Sequence, residues 1–247
     1  MAAQEVPLRG YLSRLRGREQ VAEGTMAFHF ERPAGFEFKA GQAMDVTLPD
    51  PPETDSEGNT RTLSIASAPF ESELVAATRM RDTAFKRSLS KVPLGTPVKV
   101  EGATGSFTLH KNSAKPAVFL AGGIGITPFH SIVRQADRDR LPHKLYLFYS
   151  NRRPEDAAFL DMLRRLQETN PNFRLIATMT ELSRSQRDWN GETGFIGREM
   201  LARYLDSLQG PIYYIAGPPA MVAAMREMLV EASVDEDDIR TEEFAGY

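Results

Sequence analysis

The rhythm of apolar and polar residues changes once along this chain, between residues 111 and 115. Before that point apolar residues alternate with polar ones over short stretches, at 8–15, 26–31, 42–48, 61–66, 74–80 and 98–101, as in half-buried strands. In the second stretch Phe28 and Phe30 fall on one face, with His29 and Glu31 on the other. Gly35 and Gly41 mark turns, and one short helix is expected over 83–90. Six strands with no helices alternating between them predict a small antiparallel barrel. Residues 49–60 are acidic and proline-containing, and read as a long mobile loop.

Beyond residue 115 strand and helix patterns alternate. Strands are expected at 117–121, 144–149, 173–179, 212–216 and 240–244, with helices starting near Phe129, Glu155, Arg198 and Pro219. Five strands joined by four helical crossovers predict a doubly wound parallel sheet. The fold class is therefore β + α/β: a six-stranded antiparallel barrel over 1–111, then a five-stranded parallel sheet with helices over 112–247. Ligands of such sheets bind beyond the carboxyl ends of the strands. That edge collects residues 122–127, 150–153, 180–187 and 217–219.

The run from Ala117 to Pro128 stands out within the second half. An apolar strand leads into Gly122, Gly123 and Gly125, then Thr127 and Pro128, then a helix. Glycines permit a sharp turn and a close approach of backbone to ligand, and free amides at a helix start attract phosphate. The spacing departs from G-x-G-x-x-G, because Pro128 occupies the third glycine's place. Alone, the run also fits an ordinary tight strand-to-helix turn.

Composition narrows the chemistry mainly by exclusion. The chain has no cysteine, so disulfides, thiolate nucleophiles and cysteine-ligated clusters are excluded within it. The four histidines, at 29, 110, 130 and 143, lack metal-ligand spacing, and no metal site is expected. His130 is expected on the solvent face of its helix. The charges balance up to Lys111, with 14 basic and 14 acidic residues, and the net charge of −3 belongs to the remainder. Neither half has the basic excess expected of a nucleic-acid partner. No run is apolar and long enough to span a bilayer, and a cytoplasmic location is the default expectation.

Two places in the first half carry candidate chemistry. Arg61-Thr62-Leu63-Ser64 sets a guanidinium and a hydroxyl three residues apart, on opposite sides of an ideal strand. A bulge or a strand end would let both meet one extended ligand; a surface arginine on an edge strand is the alternative. Thr83-Ala84-Phe85-Lys86-Arg87 combines helix-start amides with two cations, which suits an anion, though a solvated helix face has the same composition.

Taken in order, a barrel, Arg61 to Ser67, Gly102-Ala103-Thr104-Gly105, Gly122 to Pro128 and Ala216-Gly217-Pro218-Pro219 resemble the ferredoxin–NADP reductase superfamily over nearly the whole chain. The resemblance implies FAD in the barrel and NADH or NADPH on the second half. It also implies electron transfer to an external acceptor, either a small redox protein such as ferredoxin or flavodoxin, or a small molecule. By position it assigns the flavin and its diphosphate to Arg61, Thr62, Leu63, Ser64, Thr78, Arg79, Met80, Phe85, Lys86 and Arg87. The nucleotide falls to Gly122, Gly123, Gly125, Thr127, Pro128, Gly217 and Pro218, with Ser64 and Thr127 as catalytic candidates where the two rings meet. Phe244 or Tyr247 would cover the flavin.

Two positions depart from the family pattern. Leu63 replaces an aromatic residue and Ala216 a cysteine. They motivate a rival reading, a nucleotide-binding regulatory protein of this fold with little turnover. A reductase of a small acceptor, such as a ferric siderophore or a quinone, is a further alternative.

Overall fold

A computed structural model describes residues 10–244. The first half forms a six-stranded antiparallel sheet in the order β4-β3-β6-β1-β2-β5: β1 Gly10–Ala22, β2 Thr25–Glu31, β3 Ala43–Thr47, β4 Thr60–Ser64, β5 Glu73–Arg79 and β6 Pro97–Thr104. The long β1 pairs with β6 through Gly10 to Arg14 and with β2 from Leu15 onward, with a register shift between Leu15 and Gly17. A shift of this kind bends a strand, so one strand serves both sides of a curved sheet. Just beyond β4, Ala66 N donates to Val75 O of β5 at 2.7 Å, and Val75 N to Ser67 Oγ at 2.9 Å, which brings the two edges together. Phe28, Phe30, Met44, Val46, Val98 and Val100 fill the interior. Helix α1, Ala84–Lys91, seals one mouth by burying Phe85 and Leu89 in that core.

The second half is a six-stranded parallel sheet, β10-β9-β8-β7-β11-β12, where the sequence predicted five strands. β7 (Ala117–Gly122), β8 (Leu145–Asn151), β9 (Phe173–Met179), β11 (Ile212–Gly217) and β12 (Ile239–Glu243) match the expectation. The extra member is β10, Glu192–Thr193, two residues paired to Thr178 and Met179. Two residues carry no periodicity, so the pattern could not reveal it.

Strands β7 and β11 are buried at every position. Alternation divides their side chains between two cores. Phe119 and Tyr214 pack on one face with α2, Ile126–Arg138, and α3, Leu160–Thr169. Val118, Leu120 and Ile215 pack on the other with α4, Arg198–Tyr204, and α5, Pro219–Glu231. Fully apolar strands are what a sheet covered on both faces requires.

Helix α2 buttresses the barrel. Ser131 Oγ donates to Ser67 O at 2.6 Å, and Arg134 pairs with Glu71 at 2.6 Å. His130, expected on the solvent face, is buried: its Nδ1 lies 2.7 Å from Ala66 O and its ring packs on Phe159 at 4.0 Å. Burial pushes its pKa down to about 4, so the neutral ring donates from Nδ1 to the carbonyl. The helix face read as solvated is covered by a long-range partner.

Candidate functional site

Two cavities lie side by side where the halves meet. The first, about 590 Å³, is walled by the barrel residues Arg61, Thr62, Leu63, Ser64, Ala77, Thr78, Arg79, Arg81, Thr83, Phe85 and Lys86, by Ile124 of the glycine turn, and by Glu242, Glu243 and Phe244 after it. The second, about 460 Å³, opens at the carboxyl edge of the parallel sheet, around Gly122, Gly123, Ser150, Asn151, Arg152, Thr180, Pro218 and Met221. Arg79 lines both cavities.

Local structure explains how the first cavity is assembled. Ser64 is the last residue of β4, so the chain leaves the sheet there and Arg61 and Ser64 both reach the cavity. Thr83 caps α1, its Oγ1 accepting from Lys86 N at 3.4 Å. The ammonium of Lys86 is partly buried and donates to Arg79 O at 2.8 Å. Burial lowers its pKa, and so, in turn, do Arg81 and Arg61, so three cations converge on one spot. Leu63, Ala77, Ile124 and Phe244 supply an apolar wall opposite. A volume inside the usual range of about 300–1,000 Å³, an apolar wall and a cationic end fit a flat heteroaromatic ring carrying a diphosphate.

Glu242 is a member that sequence reasoning missed. It lines this cavity, and its Oε2 is buried without a hydrogen-bond partner. Burial raises its pKa to about 7. The acidic doublet next to Phe244 was its visible signal, but burial of one carboxyl depends on β12 pairing with β11.

The second cavity depends on close backbone approach. A Cβ on Gly125 would sit 2.2 Å from Ala216 O, and one on Gly217 would lie 3.2 Å from the backbone of Gly122. The turn after β7 therefore packs directly on the end of β11, a proximity only glycine allows. Asn151 lies at the end of β8 with Nδ2 buried and unpartnered, and Phe195 stands 84% exposed at the rim.

Of the residues singled out by sequence, Arg61, Thr62, Leu63, Ser64, Thr78, Arg79, Phe85, Lys86 and Phe244 line the first cavity. Gly122, Gly123 and Pro218 line the second. Phe85 is mostly committed to the barrel core. Arg87 lines neither cavity: it pairs with Glu53 at 2.7 Å and with Asp82. Met80 packs on the barrel core outside the cavity. Thr127 and Pro128 are buried, and Thr127 Oγ1 donates to Ile124 O at 3.0 Å, holding the glycine turn rather than lining a cavity. Tyr247 lies outside the described residues. No group of His, Asp or Glu able to hold a metal occurs among the described residues.

Comparison with known proteins decides the family. A model described as the oxidoreductase NAD-binding domain matches residues 119–227. Ferredoxin–NADP reductase B of Sorangium cellulosum is 32% identical over 208 residues, covering 81% of this chain and 82% of the relative. The chain belongs to the ferredoxin–NADP reductase family.

Other relatives are longer than the part of them that this chain covers. A subunit of the Na(+)-translocating NADH-quinone reductase of Methylococcus capsulatus is 32% identical over 156 residues, 62% of this chain but 38% of that protein. The phenol hydroxylase P5 protein of Acinetobacter pittii is 29% identical, with 87% and 59% covered. Among solved structures, the Amycolatopsis cytochrome P450 reductase GcoB superposes with a TM-score of 0.82 at 23% identity, over 96% of this chain and 70% of that one. A Neisseria gonorrhoeae ferredoxin NADP+ reductase with bound FAD and NADP gives 0.77 at 22%, over 95% and 98%. At these identities the structural likeness is one of fold. No helix among the described residues is long and apolar enough to cross a membrane.

Proposed function

We propose that this chain holds FAD in the barrel cavity and NAD(P)H in the sheet-edge cavity, and delivers electrons to an external carrier such as ferredoxin or flavodoxin. In this reading residues 1–111 form the FAD-binding unit and 112–247 the NAD(P)-binding unit. The observation that carries it is the adjacency of the two cavities: Arg79 belongs to both, and the glycine turn puts Ile124 on one and Gly122 and Gly123 on the other.

The redox chemistry supplied by the bound pair is hydride transfer from nicotinamide to flavin, then single-electron release to the acceptor. The chain's own residues bind, orient and shield. Arg61, Arg81 and Lys86 would hold the diphosphate of FAD, and Leu63 and Ala77 would offer apolar lining to its ring system. Ser64 offers its hydroxyl at the end of β4. Ile124 and Phe244 exclude water from the junction, and the backbone of Ala216 packs directly beneath the glycine turn. Thr127 works at one remove by fixing that turn through Ile124 O.

The test is anaerobic: purified protein loaded with FAD is mixed with NADH or NADPH, then offered ferredoxin, flavodoxin, a ferric chelate and a quinone. Bleaching of the flavin followed by faster reoxidation with a protein carrier supports the proposal. A protein that binds neither FAD nor nucleotide defeats it, and a consistent preference for a small acceptor removes the carrier.

A further inference from the structure

The acidic loop between β3 and β4 is tied down on the cationic end of the first cavity. Asp55 Oδ2 accepts from Ala84 N at the start of α1 at 3.0 Å, and its Oδ1 accepts from Glu57 N at 3.0 Å. These two amides, the Ala84 one first, hold the Asp55 carboxyl below the usual carboxylate range, with Arg61 and Arg87 assisting. Glu57 takes Arg61 at 2.7 Å, and the same guanidinium donates to the carbonyls of Glu57, Gly58 and Thr60. Arg61 and the helix start are the groups that suit a diphosphate, and here two carboxylates of the chain itself satisfy them.

Resting on the FAD reading above, we infer that Asp55 and Glu57 form an internal anion plug, which the diphosphate of FAD must displace from Ala84 N and Arg61. The loop is built to swing. One end is pinned where Glu53 grips Arg87 at 2.7 Å and Ser88 Oγ donates to Glu53 O at 3.2 Å. The other closes where Leu48 N donates to Asn59 O at 3.0 Å and Asn59 Nδ2 to Leu48 O at 2.7 Å. Between those pins run Thr54 to Gly58, with Gly58 at a φ of +74° and the Glu57 side chain largely exposed. Withdrawing this segment takes Glu57 off the cavity wall and Asp55 off the amide at the start of α1, and leaves the core of the barrel untouched.

The test uses the full chain stripped of flavin, with FAD binding followed by quenching of its fluorescence. Asp55→Asn keeps an acceptor for Ala84 N without the charge, and Glu57→Gln does the same at Arg61. The double variant is expected to bind FAD at least about tenfold more tightly and to associate faster, the equivalent of about 1.4 kcal/mol. Addition of FAD to the parent is further expected to expose residues 54–58 to limited proteolysis. A parent that binds FAD with variants of equal or weaker affinity, or a loop equally protected with and without FAD, overturns the plug alone. If neither parent nor variants bind FAD, the flavin reading and the plug fall together.

Discussion

The two cavities are neighbours, yet they differ in how heavily charge lines them. The barrel cavity gathers Arg61, Arg81 and Lys86, and a single loop answers Arg61 with Glu57 and the start of α1 with Asp55. The sheet-edge cavity is walled mainly by small residues, Met221, Met225 and the exposed ring of Phe195, and its few charged members are Arg79 and Asp156, paired at 3.9 Å, and Arg152, 4.0 Å from Glu181. Side-chain cations suit a ligand kept for many turnovers, because each charge-assisted contact slows its escape. Backbone amides and an apolar rim suit a ligand that must enter and leave with each cycle. On the proposed function, the contrast separates a resident cofactor from an exchanging substrate.

Breaking the backbone-built cavity should have the largest effect. Gly125→Ala puts a methyl 2.2 Å from Ala216 O, where the obstacle is main chain and cannot rotate away. Overpacking of this kind costs about 1–3 kcal/mol. Nucleotide binding, measured by titration, should be lost while FAD is retained, and Tm should fall. Arg61→Ala strikes the other cavity. A charge-assisted contact is worth about 1.5–3 kcal/mol, so FAD affinity should fall by roughly one to two orders of magnitude with nucleotide affinity unchanged. An Arg61→Ala protein that keeps FAD as tightly as the parent would remove Arg61 from the site.

Phe195→Ala sharpens the comparison with a smaller change. The ring is too exposed to support the fold, so Tm should hold, while nucleotide affinity should weaken by about 1 kcal/mol if the ring covers a bound base. Protonation provides the subtlest test. His130 has its pKa pushed down to about 4 by burial, so its contribution to stability is present above 6.5 and is lost as pH falls towards 4. Glu242 runs the other way: its pKa is raised to about 7, so its contribution is present below 4.5 and is lost as pH rises through 7. In profiles of Tm against pH, His130→Asn should flatten the acid limb, and Glu242→Gln should flatten the change between 4.5 and 7.

What the sequence made legible follows the range of the interactions involved. Continuous apolar runs identified β7 and β11, because a strand covered on both faces needs no partner to reveal it. The strand expected at 61–66 was visible from its alternation and the glycine turn from its composition, and both of these signals are local. Beyond Leu15, β1 was hidden, since Arg16 to Gln20 are polar and become strand only through pairing with β2. The two-residue β10 depends on contacts to β9, and His130 is buried by a carbonyl 64 residues away. The acidic loop read as mobile from composition; Glu57 pairs with Arg61 only four residues on, but the Asp55 contact to Ala84 N is one that a linear pattern cannot place nearby.

Anaerobic reduction tests the pairing of the two cavities most directly. With FAD loaded, equimolar NADH or NADPH should bleach the flavin in the parent, and Gly125→Ala should keep the flavin but leave it oxidised. A parent that holds FAD and nucleotide together and yet never reduces the flavin would contradict the assignment of both cavities to one reaction.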